Sequence, residues 1–343
     1  GFIQIVPEIA TIIFISHQWL ADKEPDPDGI QLSEIQRFFR IIIDGRGSEI
    51  FDETEWSTFA SGTTKHFNWL ARQQLGKSEK TATEFTTLTP ESFAQHMKQA
   101  FVWMDYFSIP QEEENQNRWQ TDQKNAINSI PHYIERCMYF FVVAPPAKHS
   151  SLSVACDYDS WRSRGWCRTE LWVNFLGDSP VFPVVVTGRP KVSLLDLMEI
   201  VGVAANRNIL SPCCGEFSCC RLGHKNGRCD ALLIWEVIRK MFLEKVKSLE
   251  DRGELMRKGM LMILESLVLC KNADEACHMQ HTCKGSTPEE RLEAFKRTRN
   301  VGDSSANLLH VCHELELTRM LLAEGFRADA VNRMGHTVPW AMS

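Results

Sequence analysis

Thr11-Ile12-Ile13-Phe14-Ile15 is an unbroken β-branched and aromatic run that ends in the polar Ser16-His17-Gln18-Trp19. The pattern predicts a buried strand whose C-terminal end carries polar groups. Asp26-Pro27-Asp28-Gly29 breaks the chain. Ser33 with Gln36 then has the spacing of a capping box, and Ile35, Phe38, Phe39 and Ile42 share one face of a helix reaching about Ile43. Residues 44–92 are polar and irregular apart from an amphipathic piece around Phe67–Leu75, and read as an insertion. Phe101 to Asp105 predicts the second strand, followed by a charged loop from Gln111 to Asp122 that holds Glu112-Glu113-Glu114.

Ile127, Ile130, Ile134 and Cys137 recur at helical spacing, with Pro131 inside the run, so that helix is either kinked or starts later. Tyr139 to Val143 predicts a third buried strand, stopped by Pro145-Pro146. Arg168 to Phe175 reads as a helix with Leu171, Trp172 and Phe175 inward, and Val181 to Val186 as a fourth strand. Strands without clean alternation, separated by helices, imply a parallel sheet covered on both faces. Ligands of such sheets sit beyond the carboxyl ends of the strands, where Ser16-His17, Asp105 and the Gly165–Glu170 segment fall. Past residue 190 the pattern changes. Residues 211–230 are rich in Cys and Gly, Ala231–Leu249 and Glu254–Cys270 read as long helices, and Pro288 with Glu289-Glu290 opens another.

Length and charge narrow the picture. A chain of 343 residues, 43% apolar and 24% charged, has room for two or three domains with sizeable cores. A net charge of −6 gives no basic excess, so no nucleic-acid partner is expected. The longest apolar stretch, Met260 to Cys270, is too short for a bilayer and carries Glu265, so no membrane partner is expected either. The chain opens Gly1-Phe2-Ile3, as a trimmed fragment would. Its twelve cysteines show no small-domain disulfide spacing, which favours reduced thiols and a cytoplasmic location.

Three segments, in order, resemble one superfamily. Ile13-Phe14-Ile15-Ser16-His17-Gln18-Trp19 resembles the opening strand and loop of TIR-like domains. Trp103-Met104-Asp105-Tyr106-Phe107-Ser108-Ile109-Pro110-Gln111 resembles the W-I-D-x-x-C-I-N-Q signature of heterokaryon-incompatibility (HET) domains, with Ser108 where the family has Cys and Pro110 where it has Asn. Ser163-Arg164-Gly165-Trp166-Cys167-Arg168-Thr169-Glu170-Leu171 resembles the S-x-W-C-x-x-E-L segment of plant-type TIR domains. It also resembles the R-x-W-x-x-Q-E segment of HET domains. The resemblance covers roughly residues 1–190 and implies an α/β domain with a TIR-like (flavodoxin-like) parallel sheet flanked by helices.

In catalytic TIR domains the glutamate of the last segment is required for cleaving NAD, and a tryptophan four residues earlier helps form the pocket. Glu170 and Trp166 have that spacing, which puts both on one side of a helix. The resemblance therefore implies cleavage of the nicotinamide–ribose bond of NAD(P), with NAD(P) as substrate and no cofactor required. Breaking that bond develops oxocarbenium character, which a carboxylate beside the ribose can stabilise. The alternative is a first-turn glutamate favoured by the helix dipole, with Trp166 a core aromatic. His17 and Trp19, with Ser16, are candidates for the same pocket, or else a satisfied strand-end histidine and a buried tryptophan. Asp105 is a further candidate, more naturally a brace for a neighbouring loop. A non-catalytic interaction or scaffold module acting through TIR-like self-association and ankyrin repeats is the rival function.

Cys213, Cys214, Cys219, Cys220, His224 and Cys229 supply enough soft ligands for a structural zinc, with buried reduced cysteines as the alternative. The stretch from Leu308 through Leu321-Leu322-Ala323-Glu324-Gly325 to Gly335-His336-Thr337-Val338-Pro339-Trp340-Ala341 resembles an ankyrin repeat, altered at Val338 and Pro339. A helical hairpin that merely resembles one is the alternative. One such unit cannot bury its own face, so further repeats and protein partners are expected. The organisation read from sequence is thus a TIR/HET-like domain over 1–190, a helical region over 191–300 with the Cys-rich loop 211–230, and an ankyrin-like helical hairpin over 301–343.

Overall fold

A computed structural model describes residues 10–62, 88–109, 119–177, 180–195, 211–221, 229–269, 289, 292 and 315–329. The chain divides into two compact units, one of residues 1–161 with 173–196 and the other of residues 162–172 with 197–343.

The first unit is built on a five-stranded sheet. Its strands are β1 (Ile12–His17), β2 (Phe101–Trp103), β3 (Tyr139–Val143), β4 (Pro183–Val186) and β5 (Ser193–Leu194), arranged β2-β1-β3-β4-β5. The first four run parallel, as expected from their continuous apolar runs, and β5 adds an antiparallel edge through Val184↔Leu194 and Val185↔Ser193. All of β3 is buried, which explains why its five residues show no alternation. On one face Ile13, Ile15, Tyr139, Phe141, Val143, Val184 and Val186 join the main core. On the other, Phe14 stacks between Trp103 and Phe140 at ring-centroid distances of 4.6 and 4.9 Å. The period-two geometry of β1 thereby assigns Ser16 to the Phe14 face and His17 to the face covered by helix α1.

Helix α1 (Ile30–Ile41) begins earlier than the sequence suggested. Gly29, at φ 65°, is its N-cap, and the Asp26 carboxylate accepts from the Leu32 N–H. Ser33 lies inside the first turn and donates to the Gly29 carbonyl, so the expected Ser33–Gln36 box does not form. The capping box instead sits at Thr89 and Ser92, opening α3 (Pro90–Gln99), a helix the residue pattern did not announce.

Much of the expected insertion belongs to the core. A π-helical turn at Ile42–Arg46, a 3₁₀ turn at Gly47–Ile50 and α2 (Glu53–Gly62) bring Ile50, Phe51 and Phe59 against Phe93 and Tyr139. Lys191 fastens this segment, its Nζ donating to the carbonyls of Glu49 and Phe51. Residues 63–87, with the Phe67–Leu75 piece, lie outside the described residues, as do residues 110–118 of the charged loop.

The helix with internal proline is two helices, α4 (Trp119–Asn128) and α5 (Ile130–Glu135), with Pro131 in the first turn of α5 where its missing N–H costs nothing. Helix α6 (Tyr158–Ser163) and helix α7 (Gly165–Leu176) follow, α7 starting three residues before the expected Arg168.

In the second unit, α8 (Asp230–Asp251) and α9 (Leu255–Val268) pack together, with Ile234, Ile238, Phe242 and Leu249 buried along α8. Of the ankyrin-like stretch, α10 (Leu315–Ala323) and the turn to Asp329 are described, with Gly325 at φ 92° ending the helix. Residues 308–314 and 330–343 lie outside the described residues. Among the described residues no helix is long and apolar enough to cross a membrane.

Candidate functional site

The strand order reverses direction between β1 and β3, and a crevice beyond the carboxyl ends at such a point is the usual ligand position of an open α/β sheet. His17 ends β1, and Asp105 follows β2 at the start of a single helical turn, Asp105–Ser108. His17 Nε2 lies 2.8 Å from Asp105 Oδ1, and its Nδ1 lies 2.8 Å from Gln31 Oε1 on α1. Gln31 Nε2 in turn donates to the Gln18 carbonyl at 2.8 Å, which fixes which amide atom faces the histidine. Each ring nitrogen therefore meets an acceptor, and a neutral imidazole carries only one N–H. A doubly protonated ring satisfies both acceptors, and Asp105 is placed to neutralise it.

Burial by itself would raise the Asp105 pKa. Hydrogen bonds from His17, from the Trp19 indole and from the Tyr106 N–H outweigh it and hold the carboxyl below its ordinary range. Asp105 thus braces the loops after two neighbouring strands, with Trp19 Nε1 at 2.9 Å from Oδ2. The Trp19 ring meets Tyr106 edge-on at a centroid distance of 5.8 Å. Both aromatics are half-buried, and the cluster presents them from a rigid ionic base. With both nitrogens engaged, His17 is poorly suited to move a proton and well suited to hold this surface. Ser16 is fully buried and accepts from Trp161 Nε1 at 3.0 Å.

Gln31 and Trp161 are the partners that the residue pattern did not single out. Gln31 did leave a signal, since it occupies the first position of the stripe continued by Ile35, Phe38 and Ile42. A polar residue heading an apolar stripe is a candidate for a buried hydrogen bond.

Glu170 and Trp166 lie in the second unit. Helix α7 begins at Gly165, so Glu170 stands in its second turn, 7% exposed. Trp166, one turn earlier, is half-buried and donates its indole N–H to Asp230 Oδ2 at 3.0 Å. The start of α7 is clamped by the Cys-rich segment. Gly165 N donates to the Glu216 carbonyl, Glu216 N to the Ser163 carbonyl, and Arg164 Nη2 to Ser218 Oγ. Arg168, also buried, donates to the carbonyls of Arg162 and Ser211.

This approach demands glycine on both sides. A Cβ on Gly215 would stand 2.3 Å from Gly165 Cα, and a Cβ on Gly165 1.9 Å from the Phe217 ring. Gly215→Ala is therefore expected to cost about 1–3 kcal/mol, as overpacking against backbone does. Urea unfolding of the full chain measures this, and an unchanged midpoint would contradict the close packing.

Of the six candidate metal ligands, the structure brings three together. Cys219, Cys220 and Cys229 place their sulfurs within 4.8 Å of one another, an arrangement that can hold a metal ion. Cys220 and Cys229 are 3.5 Å apart, and the Asp230 N–H points at Cys219 Sγ at 3.4 Å. Burial pushes the Cys219 thiol up to about 11 and raises Cys220 as well. Cys213 is fully buried in the turn Pro212–Cys214, which also carries Cys214, and is not one of the three. His224 lies outside the described residues. Comparison of the chain with protein-family models, with curated proteins and with solved structures returned no match.

Proposed function

We propose that this chain is a TIR/HET-like signalling domain that cleaves the nicotinamide–ribose bond of NAD(P), with Glu170 as the carboxylate facing the developing charge. The observation that carries this reading is the position of Glu170. A glutamate in the first turn of a helix is explained by the dipole, but Glu170 is in the second turn and only 7% exposed. Burying a carboxylate is costly, and proteins retain such groups chiefly where a partner or a reaction uses them. Trp166 lies one turn away on the same side of the helix, half-buried, with its N–H held by Asp230. An aromatic face fixed in this way suits stacking against a planar ring, and the neighbouring carboxylate suits an oxocarbenium-like ribose.

The strand order 2-1-3-4-5, that of flavodoxin-like sheets, supports the same reading. TIR-like self-association and protein partners recruited by a C-terminal ankyrin-like segment belong with it.

A second reading, a binding module without turnover, draws on Phe107. Its ring is 81% exposed beside Tyr106, in the turn after β2. Incubating the purified chain with NAD, and separately with NADP, separates the two. The enzymatic reading expects free nicotinamide to accumulate in proportion to protein and time. Unchanged dinucleotide across protein concentrations that permit self-association supports the binding module.

A further inference from the structure

We propose that Cys219, Cys220 and Cys229 bind one thiophilic divalent cation of the zinc class, which ties the segment 211–221 to the start of α8 and so steadies Trp166. Zinc–thiolate bonds are about 2.3 Å long, so two sulfurs on a tetrahedral zinc stand about 3.8 Å apart. The Cys220–Cys229 separation of 3.5 Å, and the 4.8 Å limit within which all three sulfurs fall, need adjustments of tenths of an ångström up to about one. The ligands sit on two short stretches of the second unit. Cys219 and Cys220 belong to the turn Ser218–Arg221, and Cys229 immediately precedes the 22-residue α8.

The surroundings also suit a metal thiolate. The Asp230 N–H directed at Cys219 Sγ is the kind of outer hydrogen bond that orients and stabilises a ligating sulfur. Sulfur ligands favour zinc, cadmium or copper(I) over magnesium or calcium, which prefer oxygen. Each thiol releases its proton to solvent as its sulfur–metal bond forms, giving three protons per cation. Three sulfurs leave one tetrahedral position for water or another ligand.

The consequence reaches α7 through contacts within the same unit. Asp230, whose N–H faces Cys219, also accepts the Trp166 indole N–H at 3.0 Å. Ser218, next to Cys219, accepts from Arg164, and Glu216 accepts from Gly165. A cation at the three sulfurs therefore cross-links the segment that clamps the first turn of α7.

The test uses the full chain, purified with reductant and without chelator, then stripped and titrated with cadmium or zinc. Thiolate-to-cadmium absorption should rise and saturate at one equivalent. The melting temperature should rise by about 5 °C or more at a hundredfold excess over Kd. Cys220→Ser and Cys229→Ser should abolish the absorption, and Cys137→Ser, in the other unit, should retain it. If the serine variants fail to fold, alkylation of the wild-type chain followed by mass spectrometry decides. Loss of reactivity on zinc addition at Cys219, Cys220 and Cys229 supports the site. No saturable binding, protection at other cysteines, or a Cys220–Cys229 disulfide in protein isolated without reductant overturns it.

Discussion

Glu170→Gln is expected to lower nicotinamide release by about 100-fold or more, while moving the melting temperature by no more than about 4 °C. A hundredfold loss corresponds to about 2.7 kcal/mol of transition-state stabilisation. That is the size expected when a preorganised charge is removed from beside a developing cation. Gln keeps the length and hydrogen-bonding reach of Glu and removes only the charge, so the helix and its packing should persist. A residue that merely favoured the helix would cost about 0.3–1 kcal/mol of stability and leave turnover alone. Trp166→Ala separates these roles less well, because it also removes the hydrogen bond to Asp230 that helps hold the start of α7.

Asp105→Asn is expected to produce the largest loss of stability, about 2–3 kcal/mol. Breaking a fully buried ion pair by removing one partner costs about 3–5 kcal/mol, and the figure is reduced because the Asp105 side chain is 27% exposed while that of His17 is 2% exposed. Asn cannot neutralise His17. Its NH₂ also cannot accept, so either the Trp19 indole, which donates to Oδ2, or the Tyr106 N–H, which donates to Oδ1, loses its acceptor. The pH dependence has a definite sign. The folded-state pKa of Asp105 is depressed below 3.8, so its contribution is complete above that value and is lost as pH falls through the lower folded value. Chemical denaturation at neutral pH should therefore show a clear difference between wild type and variant, which narrows below about pH 3.8. A difference that stayed constant into strong acid would exclude an ionised Asp105 as its source.

The parts of this architecture that the residues announced are those where local pattern and tertiary role agree. β1 and β3 are long apolar runs because both faces are covered, and no other element accounts for such runs so bounded. The starts of α1 and α7 were misjudged because groups outside their apolar stripes set them. Asp26 and Gly29 start α1 ahead of Ser33, and Gly215 and Glu216 meet the backbone where α7 begins. β5 has two residues and is held by its pairing with β4 and by Glu55, so no periodicity could reveal it. Phe51 and Phe59 lie in a stretch whose overall polarity suggested an insertion, yet they fill the core beside Phe93.

The candidate residues divide in the same way. His17, Trp19 and Asp105 were conspicuous as polar or aromatic groups at strand ends, but that Asp105 bonds both of the others, and that Gln31 holds the far side of His17, depends on the placement of the β2 loop and on the register of α1 over β1. The cysteine cluster was visible as composition. Which sulfurs converge was not, because Cys213 is nearer in sequence to Cys219 than Cys229 is, and the chain brings Cys229 to the cluster instead.

Whether Glu170 supports cleavage of the nicotinamide–ribose bond is decided by a paired time course with NAD for the wild-type chain and Glu170→Gln. Both proteins are held at the same high concentration, and nicotinamide and the ribose-containing product are quantified together. Equimolar release of the two products by the wild-type chain, and release slower by about 100-fold or more from the variant, is the expected result. Equal release from both chains, or none from the wild-type chain at any protein concentration, would contradict it.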